Sequence, residues 1–66
     1  MTANVYLKSG AVATVNNLKQ VTKATANGSE EITKFDDFFL YDYQYVFVGT
    51  EIVSVFGGDI LYVRFS

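Results

Sequence analysis

The chain has 66 residues, a net charge of −2, and no cysteine, histidine or proline. That length sets one domain, residues 1–66, with a core too thin to hide the half of the residues that are apolar. Without Cys or His there is no disulfide, no thiolate metal site and none of the usual catalytic bases or nucleophiles, so neither an enzyme nor a cofactor is expected.

The acidic balance argues against a binder of nucleic-acid backbones, which needs clustered Lys and Arg. No run approaches the roughly 20 apolar residues of a membrane helix, and the N-terminus lacks the pattern of a secretory leader. A cytoplasmic protein with no membrane contact is expected. The charge is uneven: residues 1–29 carry +3 and residues 30–66 carry −5.

Nine valines, with Ile, Thr, Tyr and Phe, give the chain a strong β character. The first predicted strand is Ala3 to Lys8, where Val5 and Leu7 alternate with polar neighbours. Ser9–Gly10 reads as a tight turn into a second strand, Ala11 to Val15. Asn16–Asn17 reads as a turn or bulge, because Asn tolerates the left-handed backbone region. A third strand spans Leu18 to Thr25, followed by a loop, Ala26 to Glu30, built on Asn27–Gly28.

The segment Ile32 to Tyr41 admits two readings. As a strand it carries apolar residues on both faces. As a short helix near residues 33–40, Thr33 caps it and Ile32, Phe35 and Phe39 share a side. The strand is the preferred reading. Strands then follow at Tyr43 to Val48, Glu51 to Phe56 and Asp59 to Phe65, joined by turns at Gly49–Thr50 and Gly57–Gly58. Their spacing predicts a three-strand meander. On its last strand Leu61, Val63 and Phe65 face one way, and Ile60, Tyr62 and Arg64 the other.

Residues 35–47 hold seven aromatic side chains. Phe39, Tyr41, Tyr43, Tyr45 and Phe47 share parity, so an extended backbone lines them on one face. With Tyr62 they form the candidate interaction surface. Such a stripe can stack single-stranded bases, but the interleaved charges here are Asp36, Asp37 and Asp42, which repel phosphate. A protein-facing surface fits better. The three acids match no Ca²⁺-loop spacing and read as solvated turn residues.

Val5–Gly10 and Val55–Val63 resemble in part the opening and closing strands of Sm-like RNA-binding barrels. The N-terminal helix and the RNA-loop motif of that family have no counterpart here, and Phe56 stands where it has a basic residue.

The expected fold is all-β: a small curled antiparallel meander or partly open barrel of six to seven short strands, with an α+β variant if residues 33–40 are helical. The expected function is a non-catalytic protein-interaction or accessory module of the kind found in bacterial phage and mobile elements. It would self-associate as a homo-oligomer or bind a protein partner. The alternatives are a single-stranded nucleic-acid-binding small barrel and a small-ligand or Ca²⁺-binding domain.

Overall fold

Alternation decides which face of each strand is buried. Ala3, Val5, Val15, Val21, Tyr45 and Phe47 fall on the inner side of their strands and are fully enclosed. The computed structural model describes residues 1–36 and 38–66. Among these it shows seven strands: β1 (Ala3–Leu7), β2 (Val12–Val15), β3 (Gln20–Thr25), β4 (Gly28–Ile32), β5 (Gln44–Val48), β6 (Ile52–Phe56) and β7 (Ile60–Phe65). A 3₁₀ turn, Gly57–Asp59, separates the last two. They form two antiparallel sheets, ordered β2-β1-β7 and β4-β3-β5-β6, which do not close into a barrel. The all-β expectation holds.

Local chemistry explains the connections. Between β1 and β2 the loop Lys8-Ser9-Gly10 is closed by the Gly10 amide donating to the Leu7 carbonyl. Gly10 takes φ 98° there, which a side chain would resist. Asn17 adopts φ 52°, and at that point the chain leaves the first sheet for the second. Its side-chain amide donates to the Thr50 hydroxyl at 2.9 Å. The Thr50 amide donates back to the Asn16 carbonyl. These bonds tie the crossover to the β5–β6 turn.

Three expectations are corrected. First, the described residues of the segment 33–41 are neither strand nor helix, and Asp37 lies outside the described residues. The strand lies earlier, at Gly28–Ile32, paired with β3 through Thr25↔Gly28 and Val21↔Ile32. The predicted loop Ala26 to Glu30 shrinks to a two-residue turn, because the Thr25 hydroxyl donates to the Gly28 carbonyl and accepts from the Asn27 amide. Second, β6 and β7 do not form a hairpin. The 3₁₀ turn carries the chain between sheets, and β7 pairs with β1 instead. The termini join that ladder, with Thr2 and Ser66 exchanging amide–carbonyl bonds. Third, Tyr6 pairs with Tyr62 but Leu7 pairs with Ile60, so Leu61 is an extra residue in β7. This bulge switches the alternation. Ile60 turns into the core while Tyr62 and Arg64 face outward, and Leu61 is itself exposed.

Phe35, Phe38 and Leu40 instead pack against the core. Phe38 packs edge-on against Tyr45 at 5.8 Å and against Phe65 at 5.4 Å between ring centres, and lies tilted 6.4 Å from Phe47. Phe35 stacks on Phe65 at 4.7 Å. Tyr45 and Phe47 belong to one sheet and Phe65 to the other, so Phe38 is the ring that joins them. Each such pair adds about 0.5–1.5 kcal/mol beyond burial. Truncation of Phe38 to Ala is expected to cost about 2–3 kcal/mol, read from the urea midpoint. A loss below about 0.5 kcal/mol would show that the two sheets hold together without this ring.

Candidate functional site

The six predicted surface residues separate into three places. Tyr45 and Phe47, inward-facing on β5, are fully buried and available to no partner. Phe39, Tyr41 and Tyr43 lie on the irregular segment before β5 and are 67%, 57% and 38% exposed. The shared parity fails because the backbone is not extended between Phe39 and Tyr43. Tyr62 is also exposed, but on the outer face of the other sheet, stacked on Tyr6 at 4.4 Å.

Tyr45 is nevertheless what positions the exposed rings. Its hydroxyl accepts the Tyr41 amide at 2.8 Å and donates to the Phe39 carbonyl at 3.4 Å. A buried phenol needs such partners, and here the partners are the main chain of the exposed segment. The Tyr43 amide donates to the Tyr41 carbonyl, and the Gly57 amide to the Tyr43 carbonyl at 2.7 Å. Gly57 is buried, and a Cβ there would overlap the Tyr41 carbonyl and the Tyr45 ring. The absence of a side chain lets the 3₁₀ turn lie directly against this segment.

The Tyr41 and Tyr43 rings stand 6.1 Å apart at 50°. The Lys23 ammonium, on β3, lies 5.7 and 5.6 Å from their centres, within the range of a cation–π contact. It also reaches Glu30 at 3.6 Å, its cross-strand partner.

Beside the rings runs an open groove of about 490 Å³, lined by Lys8, Leu40, Tyr41, Asp42, Gly57, Gly58, Ile60 and Leu61. The groove forms where the β1–β2 turn, the 3₁₀ turn and residues 40–42 meet, with the Lys8 amide bonded to the Asp59 carbonyl at 2.9 Å. Sequence reasoning missed Lys8, Gly58 and Leu61 as neighbours of Tyr41. No local pattern connects them, since β7 reaches β1 only through the tertiary fold.

Asp36 is exposed in a turn and Asp42 is exposed on the groove wall, while Asp37 lies outside the described residues. Among the described residues no group of three or more His, Cys, Asp or Glu side chains is placed to hold a metal ion. None of the described helical segments is long and apolar enough to cross a membrane. No protein-family model matches the sequence, and no curated protein or solved structure matches it significantly.

Replacing Tyr45 by Phe keeps the ring and removes the hydroxyl. This is expected to cost about 1–2 kcal/mol, because the Tyr41 amide loses its acceptor. Hydrogen exchange at that amide is expected to accelerate while the β5 ladder stays protected. Unchanged exchange at Tyr41 would show that the hydroxyl does not hold the segment.

Proposed function

We propose that the chain is a small non-catalytic protein-interaction module whose docking surface is the exposed segment Phe39–Tyr43 with the adjoining groove. The observation that carries this reading is that three large rings stand in solvent on a segment held in place from beneath by the buried Tyr45 hydroxyl. A pre-ordered aromatic surface loses little conformational freedom on binding, and Tyr is among the residues that dominate interface energetics. Lys8 and Asp42, both lining the groove, supply polar groups of both signs, which suits a polypeptide.

The nucleic-acid alternative is less well supported. The exposed rings have Lys23 nearby, but Lys23 is engaged by Glu30 and Asp42 borders the surface. A stacking platform for single strands needs a continuous positive track. The small-ligand alternative meets an open groove rather than an enclosing cavity, where a ligand of drug size buries most of its surface.

Peptides selected from a random display library on the wild-type protein test the proposal. Their affinity for the Tyr41→Ser/Tyr43→Ser double variant is expected to fall at least about 30-fold, the equivalent of one strong interface residue. Amide shifts on binding should centre on residues 39–43 and 57–61. Peptides that bind the variant equally well, or shifts confined to the Tyr6–Tyr62 face, would refute it. Both tyrosines are exposed, so the variant is expected to keep the wild-type circular dichroism spectrum.

A further inference from the structure

The free edge of the larger sheet has a chemistry of its own. β6 is the last strand of its sheet. Gly49 and Gly57 donate to the carbonyls of Glu51 and Tyr43, which sets the phase of the β5–β6 ladder. The odd-numbered residues of β6 exchange bonds with β5. Ile52, Ser54 and Phe56 therefore turn their amides and carbonyls away from the sheet, as alternation in an antiparallel ladder requires. Their side chains lie on the outer face, all exposed, with Ile52 at 70%.

Natural edge strands are usually blunted by a charge, a proline, a bulge or a covering element. β4, the opposite edge of the same sheet, carries Glu30 and Glu31. β6 has no charge, proline or bulge, and β2, which approaches it, makes no ladder with it. Its sequence, Ile52-Val53-Ser54-Val55-Phe56, is uncharged and strand-forming throughout, and it pairs with β5 in unbroken register.

We infer that β6 is a self-association edge, pairing antiparallel with β6 of a second copy about a two-fold axis through Ser54. The sequence is nearly palindromic about that residue, and a two-fold contact requires such self-complementarity. Ser54 meets Ser54 of the second copy, Val53 meets Val55, and Ile52 meets Phe56. The exposed apolar pair Ile52 and Phe56 thus covers its own counterpart. Electrostatics favour the same occupant. β6 offers no charge to select an acidic or basic strand from another protein, and self-pairing sets no like charges opposite each other. Glu51, the nearest acid, falls opposite Gly57 and is turned toward the Asn16 amide at 3.4 Å. The outcome is an eight-stranded sheet across two copies. The contact is of the small interface class, so association is concentration-dependent.

This inference concerns a different surface from Phe39–Tyr43 and stands independently of the function proposed there. Sedimentation from about 10 μM to about 1 mM is expected to show a monomer–dimer equilibrium. Ser54→Lys sets two ammonium groups together at the axis and is expected to weaken the dimer at least tenfold. Across the axis the Ser54 Cα atoms would stand about 5.5 Å apart, as in a hydrogen-bonded pair. That lies within disulfide reach. Ser54→Cys is therefore expected to cross-link under air oxidation in a chain with no other cysteine, whereas Val12→Cys, exposed on the β2 edge, is not. A wild-type monomer at the highest concentration would overturn the inference, as would equal cross-linking through Val12→Cys. So would a dimer that survives Ser54→Lys but is lost in Tyr41→Ser/Tyr43→Ser. Should Ser54→Lys fail to fold, the cysteine pair decides.

Discussion

The ring of Phe38 sits where two sheets would otherwise part. Both sheets are short, and neither can bury its inner face alone. Their inner residues meet around Val5, Val15, Val21 and Ile60, and aromatic contacts link β5 to β7. Phe38 touches Tyr45 and Phe47 on one sheet and Phe65 on the other, and Phe35 adds a stacked ring on Phe65. The chain has neither disulfide nor proline to stiffen it, so this packing takes the part that a staple plays in other small domains.

That constraint also shapes the surface. With Phe35 and Phe38 on the core, residues 39–43 are outside any strand and bond instead to what lies beneath them. The Tyr45 hydroxyl and the Gly57 amide satisfy main-chain groups of the segment. Once Phe38 points inward, Phe39 and Tyr41 are left outside. The same short stretch therefore supplies the cover of the core and the exposed rings of the proposed docking surface. The buried and exposed aromatics are mechanically linked through one phenol.

The Leu61 bulge has a comparable reach. By adding a residue to β7 it lets Ile60 fill the core next to the 3₁₀ turn while Tyr62 stacks outward on Tyr6. Strict alternation would have placed Ile60 and Tyr62 on one face and sacrificed one of these contacts. The reading of Leu61, Val63 and Phe65 as one face was right for the last two residues and wrong for the first. A bulge leaves no mark in residue type: Leu61 looks like any other strand residue.

Residue type and spacing alone determined the β class, the β1–β2 turn at Gly10, the left-handed Asn17, the β5–β6 hairpin and the approximate bounds of six of the seven strands. These are local: a φ preference or a two-residue period acts over a few neighbours. Only the tertiary structure decided that β7 joins β1 rather than β6, that Gly28–Ile32 is a strand, and that the aromatic run splits into core and surface. Each depends on partners far away in the chain. Glu30 and Glu31 form a strand because β3 offers its edge, and Phe38 turns inward because Phe65 is there to meet it. Aromatic side chains suit a core and an exposed surface equally well, so composition could count these rings but not assign them sides.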